Sequence, residues 1–418
     1  MHNSYNIKGW DYFVGIIFIL TSGTMIWFHL LTPKYAYIIY FFVCFINALK
    51  KTYGKPLLIC NHSLIFCCYT IIFAIIGSIL FYYPYAENTT SGYIISMLGS
   101  YLLISHSNFY QFRHIITNII YYIVLFGVPI FLLTELDLLP LKSIKFQTTT
   151  YQMFLIYSIG WPNIFHRFAG IWHEPGACQI FMNVILWLHL DELINWKWEK
   201  GQLKKIIIIT IGLLCTFSTG GYLALMILVY IVVSKIKLKG KYKKLIKLFI
   251  FSCGILIIIC IFHSNVVQEK LFTNEQGLES SSKQSRLIEN LAMLSMFIEK
   301  PILGWGLGSE KQIIEFIQRD NGGCSNGILY MACSWGLMWI IPFFLMVYRT
   351  IKKINLSTSH LWLLLAFILL ESNERYLEFP ISFLFVFSFY SYKRYYVRIT
   401  KTSVNLNYHS NIQLRTND

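Results

Sequence analysis

Apolar runs as long as a bilayer is thick recur along this chain, and they decide what it can fold into. Trp10 to Leu31 and Leu57 to Tyr83 each exceed the roughly 20 mostly apolar residues that a helix needs to cross a hydrocarbon core. Backbone groups inside lipid must find their hydrogen bonds within the segment, so such runs are helices. Charged residues make up only 13% of the chain, where a soluble domain carries about 25%. The expected fold is therefore all-α and polytopic, with about twelve spans. They fall at Trp10 to Leu31, Tyr35 to Leu49, Leu57 to Tyr83, Tyr93 to Phe109, Ile115 to Leu133 and Gly176 to Leu190, then at Ile206 to Ser218, Tyr222 to Ser234, Leu248 to Phe262, Gly327 to Tyr348, Leu361 to Leu370 and Pro380 to Tyr392. The first run has no small-residue cleavage site after it and reads as a retained span.

Alternating the connections between two sides makes the basic residues informative. With the N-terminus inside, about 24 of the 35 Lys and Arg residues fall on the inner side, including seven lysines between Lys235 and Lys247. This is the bias of the positive-inside rule, so both termini are expected in the cytoplasm. The formal net charge of +15 is then mostly a topology signal, and no nucleic-acid partner is expected. Most of the ten cysteines lie inside apolar runs and none forms a CxxC pair, which points to neither a zinc site nor a disulfide framework. Residues 1–392 read as one integral-membrane domain and 393–418 as an inner tail.

Two outer segments are too long to be turns. The first, 134–175, holds an aromatic piece, Tyr151 to Phe165, which suits a helix lying on or re-entering the interface. The second, 263–326, contains Leu287, Ile288, Leu291, Leu294 and Ile298 at helical spacing, an amphipathic helix with Arg286 near its start.

The densest chemistry lies in Arg167-Phe168-Ala169-Gly170-Ile171-Trp172-His173-Glu174-Pro175-Gly176. Pro175 just before an apolar run marks a first helical position, which puts Glu174 where a helix dipole favours a carboxylate. Arginine grips paired phosphate oxygens in a bidentate manner and stays charged in any protein setting. Arg167 and Arg286 are thus candidates to seat a diphosphate, and Glu174 and His173 are candidate general bases. Glycines in Gly304-Trp305-Gly306-Leu307-Gly308 allow a backbone that presents its amides to an anion. Glu371, Glu374 and Glu378, near Arg375, flank the last span and either line a sugar groove or cap helix ends. No Walker-type loop occurs, and charge is scarce within the spans, whereas a flippase or exporter would bury it there.

Arg167-x-x-Gly170-x-x-x-Glu174-Pro175 resembles the signature of bacterial O-antigen and exopolysaccharide polymerases, in the O-antigen polymerase and ligase superfamily. Thr216-Phe217-Ser218-Thr219-Gly220-Gly221-Tyr222 resembles that family's Ser-rich turn. Arg286 with Glu299 to Gly308 resembles its large-loop arginine and glycine segment, and Ser325-Asn326-Gly327 its entry to the next span. Thr219 stands where the family commonly has arginine. Ser325 stands where the ligase branch commonly has histidine. The resemblance implies a membrane glycosyltransferase of the bacterial inner membrane that takes a glycan from undecaprenyl diphosphate and adds it to another lipid-linked repeat unit. A ligase acting on lipid A core is the alternative. It implies Arg167, Glu174, Arg286 and His173 as catalytic residues, and Gly170, Pro175, Gly304, Gly306, Gly308 and Asn326 as substrate-binding ones. Neither metal nor other cofactor is implied; the partners are the lipid-linked oligosaccharide, the bilayer and a chain-length regulator.

Overall fold

A computed structural model describes residues 8–25, 33–53, 61–80, 86–146, 149–160, 166–196, 198–235, 282–306, 325–354 and 360–388, with single residues at 244, 252, 259 and 315. The expected span from Leu248 to Phe262, apart from residues 252 and 259, the inner tail and Gly308 lie outside the described residues. Elsewhere the apolar runs are helices: α1 (Gly9–Leu20), α2 (Pro33–Thr52), α3 (Asn61–Leu80), α4 (Ala86–His106), α5 (Phe109–Glu135), α6 (Pro175–Leu188), α7 (Leu190–Asn195), α8 (Gln202–Cys215), α9 (Thr219–Lys235), α10 (Ser282–Glu299), α11 (Gly327–Ile354) and α12 (His360–Glu371). A last helical run, α13, covers 380–388. Two of these, α5 and α11, are long and apolar enough to cross a membrane unaided, and several shorter apolar helices accompany them.

The sequence reading needs one correction. The described part of Tyr151 to Phe165, residues 151–160, is not an interfacial helix. It lies in a three-stranded antiparallel sheet of β1 (Lys142–Phe146), β2 (Thr149–Phe154) and β3 (Tyr157–Gly160). Alternation explains the switch: Tyr151 and Met153 turn inward while Gln152 and Phe154 do not, which is the period of a strand rather than a helix. Thr149 and Thr150 add β-branched residues at the turn into β2. The fold is helical apart from this sheet, and the sheet has a use. Its β3 edge receives the amide of Arg167 on the Ile159 carbonyl, at 2.9 Å, and gives the Ser158 amide to Gly170, at 2.7 Å.

Polar contacts collect at the two ends of the helices. At the basic end Asp11 accepts from Lys51 and Gln111, Arg113 pairs with Glu192, and Lys205 donates to Asn118. Between the ends lies an aromatic core in which Trp335, Trp339 and Phe343 stack along α11 against Phe66 and Tyr93. The candidate site occupies the other end.

Candidate functional site

Four segments meet there, and three of them bring charge. The first is the Arg167 to Gly176 run, clasped on three sides. The Phe168 amide donates to the Cys215 carbonyl at the end of α8, and the Met25 amide, just past α1, donates to Ile171. Trp172 is fully buried; its Nε1–H reaches the Ser22 carbonyl and its ring lies 4.5 Å from that of Phe181. Gly170 sits at φ +62°, in the left-handed region that glycine adopts without strain, with the Cys178 sulfur and the Trp172 ring close by. The run turns there and enters α6 with Glu174 at the N-cap and Pro175 at the first helical position. Gly170 and Pro175 thus shape the backbone that carries Arg167 and Glu174.

The second segment is the turn from Ser372 to Glu378 between α12 and α13. Its Glu374 carboxylate lies against the first turn of α6: a Cβ on Gly176 would stand 1.9 Å from Oε1. The third is the start of α9, where a Cβ on Gly220 would overlap the Asn373 amide. These two glycines let the turn close down on two helix N-termini. The fourth is α10, whose Arg286 donates from Nη1 to the Asn373 carbonyl at 3.2 Å and from Nη2 to Glu374 Oε1 at 3.5 Å.

Arg167, Glu174, Arg286 and Glu374 therefore act on one another. Burial pulls the Arg167 guanidinium below its ordinary value; Glu174 and Glu374 oppose that pull and Arg286 reinforces it. An arginine tolerates such a pull and keeps its proton. Burial pushes the Glu174 carboxyl up. His173, a hydrogen bond with the Glu374 carboxyl, Arg286 and Arg167 together outweigh burial and hold it below the usual carboxylate range. Glu174 is thus held toward its ionised form beside a second carboxyl, at the positive end of α6. His173 stands at the rim. Its Nδ1–H faces the Gly23 carbonyl at 3.3 Å and its ring stacks on Tyr376 at 6.4 Å between centroids.

The glycine segment, expected as an amide donor to an anion, and Asn326, expected as a substrate contact, make hydrogen bonds within the protein. The amides of Gly304, Trp305 and Gly306 donate to Lys300, Cys333 and Ser334 at 3.0, 2.8 and 2.8 Å. In return Pro301 and Ile302 accept from Leu337 and Met338. The glycine segment is spliced into a break in α11 at Gly336, whose φ is +63°. A helix interrupted in its middle leaves amides and carbonyls without intrahelical partners, and the splice supplies them. Gly304 and Gly306 therefore have no free amide for an anion. Asn326 caps α11, accepting the Leu329 amide on Oδ1 at 3.1 Å.

Glu374 and Asn373 were the residues that sequence left undistinguished from their neighbours; the available signal was a charged turn between two apolar helices. Glu289 is another, a buried carboxylate on α10 that accepts from the Ser325 hydroxyl at 2.8 Å. Among the described residues no three His, Cys, Asp or Glu side chains gather as metal ligands.

Residues 206–344 match a family model described as O-antigen ligase. That third of the chain runs from α8 into α11 and holds Arg286, Glu289, Gly304, Gly306 and Asn326, while Arg167, Glu174 and Glu374 lie outside it. No curated protein matches this chain, and no solved structure does.

Proposed function

The match over residues 206–344 puts this chain in the O-antigen polymerase and ligase superfamily, and from that premise we propose that it is a repeat-unit polymerase of a bacterial surface polysaccharide. One observation carries the reading: arginines from two distant segments, Arg167 and Arg286, converge on the carboxyl pair Glu174 and Glu374 at the N-terminus of α6.

In this reading the donor is a glycan on undecaprenyl diphosphate. An acceptor sugar hydroxyl attacks the anomeric carbon, the bond from that carbon to the diphosphate oxygen breaks, and its electron pair leaves with the diphosphate. Arg167 and Arg286 stabilise the charge that develops, a contribution that preorganised cations make in a site shielded from water. Glu174 takes the proton of the attacking hydroxyl. Glu374 shares a hydrogen bond with it and keeps Arg286 in place. Arg286 is loosely held, at 3.5 Å and with its side chain 37% exposed, so it can leave Glu374 for a phosphate oxygen. The leaving group is already activated, so the step needs no metal or nucleotide.

Polymerase is favoured over ligase by the Glu174-Pro175 pair and by Ser325 in place of the ligase branch's histidine. Reaction on the outer side of the inner membrane, with a chain-length regulator as partner, completes the proposal. Gel analysis of surface polysaccharide tests it, in a deletion strain complemented with wild type, Arg167→Ala, Arg286→Ala or Glu174→Ala. Single repeat units on the core, at normal membrane levels of each variant, are expected. Bare core with long chains still on the carrier lipid would mean a ligase, and an unchanged ladder in the deletion strain would sink both.

A further inference from the structure

The helix that delivers Arg286 has two apolar faces. Ala292, Met293 and Met296 are buried, and α10 packs along α11. Leu287, Leu291, Leu294 and Ile298 form a second stripe at helical spacing, and all four are exposed, from 41% at Leu294 to 66% at Ile298.

Where that stripe leads is set by hydrogen bonds. At its start α10 is tied to the charged turn through Arg286 and to the beginning of α11 through Glu289 and Ser325. At its end the Trp305 and Gly306 amides reach Cys333 and Ser334 within α11. The two helices thus leave the charged cluster side by side in the same sense, and α10 ends against the middle of a helix long and apolar enough to span. Ile302, 60% exposed, accepts the Met338 amide at 3.2 Å, and Met338, Ile341 and Leu345 are exposed on α11. The stripe on α10 therefore runs into the outward flank of the span.

Bilayer lipid accounts for the flank of α11. The stretch from Leu287 to Ile298, about 16 Å of helix, begins beside four charged groups, and an apolar ligand joined to an anion matches both ends at once. We propose that the stripe Leu287, Leu291, Leu294, Ile298 and Ile302 is the seat of the donor's prenyl chain. This rests on the donor assigned above, with its diphosphate at Arg286.

The test uses the purified full chain in detergent micelles and two probes, undecaprenyl diphosphate and geranyl diphosphate, with binding followed by thermophoresis. The variants are Leu291→Gln with Ile298→Gln, and separately Arg286→Ala, each retained only if its thermal midpoint stays close to wild type; the single substitutions replace the double one if it does not fold. Removing two apolar contacts is expected to weaken the long-chain probe about tenfold or more and to leave the short one within about twofold. Equal loss of both probes, or no loss of the long one, would overturn the proposal. If Arg286→Ala weakens neither probe while the stripe variant still weakens the long one, the prenyl seat stands and the diphosphate reading falls.

Discussion

Gly176, in the first turn of α6, leaves room for the Glu374 carboxylate, whose Oε1 would be 1.9 Å from any Cβ at that position. The contact places the Glu374 carboxyl beside the first turn of α6, where the helix dipole favours negative charge. It also fixes Glu374 within reach of Glu174 and Arg286. Gly176→Ala should push the carboxylate away and release Arg286. The expected result is polysaccharide synthesis reduced at least about tenfold, with an overpacking cost of about 1 to 3 kcal/mol seen as a lower thermal midpoint. Wild-type ladders from Gly176→Ala at normal membrane levels would show that Glu374 is not needed where it stands.

Glu174 sets a pH dependence. Its carboxyl is held below its ordinary value of 4.5, so the native state holds this proton more weakly than the unfolded chain does. Its contribution to stability is fully present above the ordinary value and is lost as pH falls through the lower native one. The same ionised form is the one a base requires. Polymer synthesis by wild-type membranes should therefore be flat from pH 7 to about pH 5, and Glu174→Gln should be inactive throughout. A fall centred near the ordinary imidazole range, about 6.5, would move the base role to a histidine such as His173.

How much of this was legible follows from which rule governs each part. Helices show through hydrophobic runs, and eleven of the twelve expected spans fall on described helices because lipid allows the backbone few other forms. β2 and β3 were missed because Tyr151 to Phe165 is mostly apolar and aromatic, and its alternation is short. Arg167, Glu174 and Arg286 stand out in the sequence as charge on apolar edges, and that they meet is visible only in the fold. Glu374 showed only as one of three carboxylates beside the last span, because what sets it apart is packing against Gly176 and Arg286, which are far from it in sequence. The packing of the glycine segment was not legible for a related reason: glycines that admit an anion and glycines that admit another backbone look alike in sequence, and here the neighbour of 304–306 is α11.

That splice makes its own prediction. Gly304 and Gly336 both have positive φ, and a Cβ on either would meet a backbone oxygen at 2.5 and 2.3 Å respectively. Alanine in the left-handed region costs about 1 to 2 kcal/mol before any clash, and backbone cannot yield as a side chain can. Gly304→Ala and Gly336→Ala should each lower the thermal midpoint of the purified protein by several degrees and the membrane level with it. Normal stability with lost synthesis would instead assign these glycines to the substrate.

Asn326 separates a structural from a substrate role most cleanly. Its Oδ1 accepts the Leu329 amide and its carbonyl accepts the Tyr330 amide, as an N-cap does. The cap lies one residue from Ser325, which is held by Glu289, and one from Gly327, where a Cβ would meet the Glu374 carbonyl at 2.7 Å. Asn326 is therefore near the site, yet its side chain is turned to its own helix. Losing a cap costs about 0.5 to 2 kcal/mol, whereas losing a transition-state contact lowers turnover about 100-fold or more. Asn326→Asp and Asn326→Ser, which keep a capping oxygen, should retain both stability and synthesis. Asn326→Ala should lose stability by the cap's amount, with synthesis per folded molecule close to wild type. If Asn326→Asp and Asn326→Ser are as inactive as alanine while remaining as stable as wild type, the amide nitrogen is needed by the substrate, and the capping role is incidental.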